Sequence, residues 1–493
     1  MKYLLLTLLY LWFSVLPARS QDKVNLTLEE SIQLASDSSY QSFKTKNLYL
    51  ASFWEYRAFR AARLPSVTLN MTPLQYNREF TKRYDPGNNI DVYRTQQSLY
   101  SYANIAVNQN LDLTGGTFFV DSELGFFRNF GQTTFTQYSS VPFRIGYIQS
   151  LSGFNEFSWQ KKIEPIKYEK AKRQFLYSRE EISETVIDLF FNLAMARAEH
   201  DMAIDNVKST DTLFQIGEER FKIASISKEE KYTLKLDAIN AKNTLKNAEV
   251  ELKKATFSMV SFLDLKSGSS VNITLPKRPR NLLINIDDAL HYAKENNPDF
   301  LSNEQEIKEA ELEIAKAKAA AFNASLSLSA GFNQVATTFP DAYRNPLQQN
   351  LISIGFSIPI LDWGVRKGRV NMATNNLNVV RISAKQRELT VEQELIVAVN
   401  EYNIQQDMIN SAEEALELAI SAYEATKQKF IIGQSDLNTL TLSFNRQKEA
   451  QKNHISVLKN YWQSLYKIRK LTLYDFEKNV RLSFIFDNLN NIR

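Results

Sequence analysis

The residue types that usually carry catalysis or metal binding are few in this chain, and they are widely spaced. The three histidines are His200, His291 and His454, and each lies in a segment with helical periodicity. The acidic pairs Glu29-Glu30 and Asp287-Asp288 lie in the first turns of predicted helices, where negative charge favours the helix dipole. The chain has no cysteine, no phosphate-binding loop and no nucleophile elbow. We therefore predict no catalytic residue, no metal site and no cofactor, and a protein that is not an enzyme.

The chain begins with a segment typical of a secretory signal peptide. Lys2 precedes an apolar stretch from Tyr3 to Leu16, and the small residues Ala18 and Ser20 lie where a signal peptidase cuts. We therefore predict that residues 1–20 are a signal peptide, in preference to an uncleaved anchor. No later segment approaches the roughly 20 consecutive apolar residues of a spanning helix. The net charge of +4 over 493 residues gives no case for nucleic acid as a partner.

The rest of the chain consists of two copies of one unit. Three pairs of segments match in order, and they are Leu26–Ser31 with Ile284–Ala289, Phe143–Tyr147 with Ile352–Phe356, and Arg220–Ala224 with Lys429–Gly433. The second and third of these segments are the same distance apart in both copies. The unit is a helix of about 35 residues, strands, a long helix and a short helix. We therefore predict a first repeat at 21–263, a connection at 264–283 and a second repeat at 284–493.

The strand regions of both repeats alternate apolar with polar residues. In the second repeat, Leu326, Leu328 and Phe332 share one face of a predicted strand, and serines occupy the other. Strands of a membrane barrel with a wet lumen have this pattern, although a half-buried soluble sheet has the same period. Dense aromatic residues between Tyr76 and Trp159 favour the barrel, because such rings prefer membrane interfaces. We therefore predict barrel strands at about 65–151 and 324–361.

The first repeat has an additional pair of alternating runs. They are Ala103–Leu113 and Thr117–Phe127, joined at Thr114-Gly115-Gly116, and glycines between such runs indicate a hairpin. The first repeat would then contribute four strands and the second repeat two. This hairpin either belongs to the wall of the barrel or projects beyond it.

The long helices are unusual for a globular domain. Helical patterns run from about Glu156 to Ile223 and from about Val365 to Ile432, each roughly 100 Å at 1.5 Å per residue. The shorter helices that follow have apolar residues at alternating spacings of four and three, with many alanines, which predicts coiled-coil packing. The sequence therefore predicts a mainly α chain with a β-barrel part.

The order and doubled spacing of these motifs resemble the TolC family of outer-membrane efflux proteins, over essentially the whole mature chain. The segments that carry the resemblance are Leu26–Ile32, Leu64–Ser66, Leu151–Asn155, Phe356–Gly364 and Phe430–Gly433. The resemblance implies a homotrimer whose strands close one transmembrane β-barrel in the outer-membrane lipid, continued by a long periplasmic α-helical coiled-coil tunnel. It also implies a passive export duct whose partners are a periplasmic adaptor (membrane fusion) protein and an inner-membrane pump.

The resemblance assigns the periplasmic tip and its gate to the two turns between long and short helices. The residues so assigned are Phe221, Ala224, Ser225 and Glu230 in the first repeat, and Phe430, Gly433, Gln434 and Asp436 in the second. In the family's pattern each turn holds Gly, followed six residues later by an acid. Here Ala224 replaces the first Gly, and Thr439 replaces the second acid. Acids that symmetry brings near an axis repel one another, so Glu230 and Asp436 either influence ion passage or are merely solvated turn charges.

A second class of protein has the same kinds of element. A structural or adhesive coiled-coil protein anchored by a barrel would use the helices as a stalk. A hollow tunnel needs polar lumen residues and paired helices in both copies, and the duplication supplies both. The sequence therefore favours the channel, and it leaves the cargo, the pump and the adaptor open.

Overall fold

The computed structural model describes residues 23–130, 134–266, 268–276, 282–320 and 322–483. The predicted signal peptide, residues 1–20, lies outside the described residues. The described part is mainly helical and contains one six-stranded sheet and two small two-stranded sheets. Among its helices, none has both the length and the apolarity needed to cross a membrane.

The first repeat contains short helices, four long strands and two further helices. Its elements in chain order are strand β1 (Lys23–Leu26), helices α1 (Leu28–Ser38) and α2 (Tyr40–Ala61), strands β2 (Ser66–Asp85), β3 (Ile90–Asn110), β4 (Thr117–Asn129) and β5 (Phe135–Ser150), and helices α3 (Glu156–Lys222) and α4 (Lys228–Phe262). Strand β6 (Ser270–Ile273) follows in the connection and pairs in parallel with β1. The sequence pattern did not reveal this small sheet.

The second repeat follows the same scheme with two strands. Its elements are helices α5 (Ile286–Asn296) and α6 (Pro298–Ala319), strands β7 (Asn323–Ala336) and β8 (Leu347–Ser357), helices α7 (Val365–Ile431) and α8 (Leu437–Thr472), and the short strands β9 (Tyr474–Asp475) and β10 (Val480–Arg481). The long helices α3 and α7 each have 67 residues. Equal length in both copies is what a duplication predicts.

The first helix of each repeat is divided into two, where the sequence predicted one continuous helix. Ser39 and Asn297 adopt extended conformations, with ψ of 147° and 133°. Pro298 begins α6, and proline disfavours a helical conformation in the residue before it. In the first repeat the Ser39 hydroxyl accepts a hydrogen bond from the Ser42 amide at 3.1 Å, which starts α2. The two breaks therefore have different local causes at equivalent positions.

The described chain divides into two compact units that cut across the repeats. One unit comprises the described parts of Met1–Tyr49, Lys172–Pro298 and Leu389–Arg493, and the other comprises Leu50–Ala171 and Asp299–Glu388. Each unit therefore combines equivalent segments of both copies.

The second unit contains the six-stranded antiparallel sheet, in the order β2-β3-β4-β5-β7-β8. Four strands come from the first repeat and two from the second, as predicted. The hairpin β3–β4 lies inside this sheet, because β3 pairs with β2 and β4 pairs with β5. The repeats join where β5 pairs with β7, for example at Tyr147 and Leu328. The hairpin predicted at 103–127 is thus an internal part of the sheet.

The two faces of the sheet differ in polarity. Leu328 is opposite Tyr147 on one side and Ile352 on the other, within an apolar face. On the opposite face, Arg144 Nε donates to Asp121 Oδ1 at 2.9 Å, and Asn104 Nδ2 donates to Asp121 Oδ2 at 3.0 Å. Around these residues, charged side chains are therefore paired on one face of the sheet, while the other face is apolar. Towards the far end of the β2–β3 hairpin the second face also carries an ion pair, Lys82–Asp91 at 2.8 Å.

The first unit contains the largest buried cluster. Tyr402 and Tyr461 are fully buried, and their hydroxyls lie 3.1 Å apart. Around this cluster, α3 of the first repeat and α8 of the second are joined by ion pairs, which are Glu180–Arg469 at 3.1 Å, Glu184–Lys470 at 2.6 Å and Asp188–Lys459 at 2.5 Å. These contacts connect the two repeats within one unit.

Candidate functional site

The turn between α3 and α4 ends the long helix with a left-handed residue. Ala224 has φ of 55°, its amide donates to the Phe221 carbonyl at 3.0 Å, and the Ser225 amide donates to the Arg220 carbonyl at 2.8 Å. This pair of bonds is a Schellman motif, which satisfies carbonyls that the helix end leaves free. Glycine is usual at the left-handed position, so Ala224 has a conformation that its Cβ disfavours.

The turn between α7 and α8 has the same backbone hydrogen bonds. Gly433 has φ of 82°, its amide donates to the Phe430 carbonyl at 3.1 Å, and the Gln434 amide donates to the Lys429 carbonyl at 2.8 Å. The sequence alignment of Ala224 with Gly433 therefore corresponds to a structural equivalence. Both turns bring the next helix back along the long one.

Both acids of the predicted gate take part in caps of the short helices. Glu230 accepts a hydrogen bond from the Ser227 amide at 2.8 Å, and the Ser227 hydroxyl accepts one from the Glu230 amide at 3.1 Å. Asp436 accepts one from the Thr439 amide at 2.8 Å. This amide, together with the Thr439 hydroxyl, holds the pKa of Asp436 below its ordinary value. The sequence did not distinguish these capping roles from a free charge at an aperture.

An arginine that the sequence analysis did not single out connects the two turns. Arg220 Nη2 donates to the carbonyls of Phe430 and Ile431, at 3.4 and 3.2 Å, and its guanidinium lies over the Phe430 ring, 5.7 Å from the centroid. The position aligned with Arg220 in the second repeat is Lys429. Nothing in the sequence around Arg220 indicates that its side chain reaches backbone carbonyls of the other repeat.

The equivalent phenylalanines of the two turns have different surroundings. Phe430 is 7% exposed and packs with Leu213, Leu234 and Leu440 in a small apolar cluster. Phe221 is 37% exposed, and Lys231 lies 5.0 Å from its ring centroid. Of the predicted tip residues, the structure thus brings Phe430 into the packed interior of the tip and leaves Phe221 near its surface.

The chemistry available at the turns is electrostatic and steric. A cavity of about 110 Å³ lies beneath them, and its lining includes Arg220, Glu230 and Asp436. In the part of the chain that the structure describes, no three His, Cys, Asp or Glu side chains are grouped as a metal site would require. Small residues, one connecting arginine and two capping acids suit a turn that holds helix ends together.

Comparisons with known proteins identify the class of this fold. The outer membrane channel CmeC of Campylobacter jejuni superposes with a TM-score of 0.66 at 13% identity, covering 92% of this chain and 88% of that one. The outer membrane protein VceC of Vibrio cholerae gives 0.62 at 12% identity, covering 90% and 95%. A membrane protein of Pseudomonas aeruginosa gives 0.64 at 14%, covering 92% and 91%. The chain therefore has the fold of outer-membrane channels of the TolC type.

A sequence comparison agrees with the fold. Residues 289–472 match the family model described as "Outer membrane efflux protein". This match and the fold are together similar to those of the TolC family of outer-membrane efflux proteins. An uncharacterized protein of Haemophilus influenzae is 22% identical over 220 residues, which cover 43% of this chain and 46% of that protein. The chain thus spans about half the length of this relative.

Proposed function

We propose that the chain is one subunit of a passive, homotrimeric export duct. Its strands form part of a barrel in the outer membrane, and its helices form a tunnel in the periplasm. A periplasmic adaptor protein couples the duct to an inner-membrane pump that supplies the energy. The observation that carries this proposal is the open six-stranded sheet, with two exposed edges and two faces of opposite polarity.

The exposed edges support assembly with further copies. Every residue of β8 is exposed, and β2, at the other edge, is exposed along most of its length. Unpaired backbone groups are not tolerated in lipid, and six strands are fewer than the eight of the smallest natural membrane barrels. Pairing β8 of one copy with β2 of the next removes both edges. Three copies, the number that the family implies, would supply eighteen strands, enough to leave an aqueous channel.

The polarity of the two faces of the sheet indicates which face would line the lumen of the barrel. The apolar face with Leu328 and Ile352 suits lipid, whereas the face with Asp121 and Arg144 suits a water-filled lumen. Burying the ion pair against acyl chains would be costly. A barrel with the charged face inward satisfies both requirements.

The contacts between the turns support a closed tip in the resting duct. Arg220 joins the end of α3 to the last carbonyls of α7, so the two helix pairs are tied at their turns. Opening then requires that these bonds exchange for water, which is a modest cost of about 1 kcal/mol for a partly exposed pair. An adaptor that contacts the turns can supply that free energy.

Cysteine cross-linking tests the assembly, and the native chain has no cysteine to interfere. Ser353 on β8 and Thr68 and Asn70 on β2 lie on the polar face. We expect Ser353→Cys combined with Thr68→Cys or Asn70→Cys to give a covalent trimer in outer-membrane extracts. Ile352→Cys with the same partners is the matched control, because its side chain points to the other face. A monomeric mass without cross-links in any pair would contradict the proposal.

Planar-bilayer recording separates the duct from the adhesive stalk. A duct gives discrete single-channel conductance that rises when Arg220 is replaced by Gln. A stalk on a filled barrel assembles and cross-links in the same way but conducts no current. Absence of conductance in a purified, cross-linkable trimer would therefore favour the stalk.

A further inference from the structure

A cavity in the first compact unit lies between the two helix pairs that carry the turns. Its volume is about 190 Å³, and its walls come from α3 and α4 of the first repeat and from α7 and α8 of the second. Leu213, Leu234, Tyr423 and Leu440, all buried, form its apolar floor. The Phe444 ring lies 5.6 Å from that of Tyr423 and extends the floor.

The rim of the cavity is polar and accessible. Thr244, Thr441 and Asn445 line it and are exposed. An apolar floor under a rim of hydroxyls and amides is the usual composition of small-molecule sites in proteins.

Asp237 gives this rim its charge. It lines the cavity, is half-buried, and has no hydrogen bond or ion pair with any residue between 23 and 483 that the structure describes. Burial raises the pKa of its carboxyl, with no opposing effect from a nearby cation. An isolated carboxylate at the edge of an apolar cavity is incompletely solvated and lacks a counter-charge.

Two lysines near this cavity are engaged with other groups. Lys242, on the same helix as Asp237, pairs with Asp211 at 3.0 Å. Lys427 lies over the Tyr423 ring and pairs with Glu424 at 3.8 Å. Among the described residues, Asp237 therefore has no cation as a partner.

We propose that this cavity binds a small amphipathic organic cation, with its ammonium group at Asp237 and its apolar body on the leucine and aromatic floor. The volume suits one ring, because an engineered apolar cavity of about 150 Å³ holds benzene. An aromatic ammonium ion satisfies the carboxylate and displaces water from the floor. Because the walls belong to both repeats, an occupant ties the two helix pairs together beneath their turns. The site is independent of the proposed duct and is testable without transport.

The test uses the full-length protein purified in detergent, with benzylammonium as the probe and benzyl alcohol as its uncharged counterpart. Binding is measured by ligand-observed NMR and calorimetry at pH 7. We expect saturable benzylammonium binding that is at least tenfold tighter than that of benzyl alcohol. Asp237→Asn, which keeps the shape of the side chain, should weaken benzylammonium tenfold or more and leave benzyl alcohol within twofold.

Asp211→Asn is the matched control, since it removes the same charge from a neighbouring helix but from a paired acid. It should leave benzylammonium affinity within twofold. Ala241→Leu, which fills the cavity, should abolish binding of both probes. The proposal would be overturned if the two probes bound with equal affinity, or if Asp237→Asn and Asp211→Asn weakened benzylammonium binding equally. It would also be overturned if benzylammonium binding did not saturate by about 10 mM, which is weaker than a specific site would give.

Discussion

The two turns between the long and short helices share one backbone geometry and differ in the contacts that their side chains make. Both use the same pair of hydrogen bonds around a left-handed residue, which is Ala224 in one and Gly433 in the other. Arg220 of the first repeat reaches the second, whereas the aligned Lys429 is exposed and has no such contact among the described residues. Both turns reverse a long helix, and the same pair of backbone hydrogen bonds serves in each. The side chains differ, so that one turn donates the connection and the other accepts it.

The two repeats differ in their number of strands, and the difference is an even number. The first repeat has four strands and the second has two. A hairpin adds two strands and returns the chain to the side from which it came, so the following long helix can begin at the same edge. An odd number of added strands would reverse that direction. The repeats can therefore differ by a hairpin and still support equivalent helices.

The largest expected effect comes from reducing this difference in strand number. Deleting residues 103–127 should abolish the proposed membrane oligomer, because it removes all but two residues of β4 together with the part of β3 that pairs with β2 from Ser66 to Met71. Replacing residues 80–95 with Asn-Gly is the matched control. That part of the β2–β3 hairpin pairs only with itself, and the replacement joins the paired residues Glu79 and Gln96 by a tight turn. Oligomer recovery is measured by native electrophoresis of outer-membrane extracts. Survival of oligomers after the first deletion would place the hairpin outside the wall.

The left-handed residues give the next largest effect. Gly433→Ala should destabilise its turn by about 1–2 kcal/mol, because alanine disfavours positive φ. Ala224→Gly should change the first turn by less than about 1 kcal/mol and in the stabilising direction, since relief of strain opposes the added freedom of the unfolded glycine. Amide hydrogen exchange at the helix ends measures both changes. If Gly433→Ala and Ala224→Gly changed the exchange rates by the same amount and in the same direction, backbone strain at the left-handed position would not explain the effects.

Removing the connection between the turns should have a smaller effect. Arg220→Gln is expected to speed amide exchange at the last turn of α7 about fivefold, which corresponds to about 1 kcal/mol for the lost hydrogen bonds. Lys429→Gln removes the aligned cation and serves as the control, with exchange unchanged. If both substitutions act alike, net charge and not the bridge stabilises the tip.

The capping acids should give the smallest effect, and it depends on pH. The pKa of Asp436 is lowered in the folded chain, so its hydrogen bond to the Thr439 amide stabilises the cap fully at pH values above the ordinary Asp pKa of 3.8. This stabilisation is lost as the pH falls through the lowered pKa. Asp436→Asn should make exchange at the start of α8 insensitive to pH in that range. Glu230→Gln and Asp436→Asn should shift ion selectivity slightly toward anions, and the Lys variants should shift it further. Unchanged selectivity in all four variants would exclude both acids from the conducting path.

The sequence was informative where periodicity is strong. The alternating strands, the long helices and the aligned turns at Ala224 and Gly433 are repeated patterns, and each copy supports the other. The hairpin at 103–127 was found, although its position inside the sheet depends on pairing between distant strands that no local pattern specifies. The breaks at Ser39 and Asn297 were missed, although Pro298 and the capping serine are local signals for them.

The residues that the sequence did not reveal were missed for one physical reason. Arg220 and Asp237 are ordinary helical residues in sequence, and what distinguishes them is what lies across from them. Arg220 has carbonyls of another helix within reach, and Asp237 has no cation as a partner in the part of the chain that the structure describes. Such properties depend on how four helices pack together, so a single helix cannot reveal them. The capping roles of Glu230 and Asp436, by contrast, follow from local spacing.

The ion pairs between α3 and α8 have a consequence for how this chain evolves. Glu180, Glu184 and Asp188 of the first repeat face Arg469, Lys470 and Lys459 of the second. Each repeat thus supplies charges that neutralise those of the other. A charge reversal on α3 would bring like charges together unless α8 changed as well, and Glu180 and Arg469 are 289 residues apart in the chain. Neither repeat can therefore be exchanged for an unrelated helical segment without leaving charged side chains of the other unpaired.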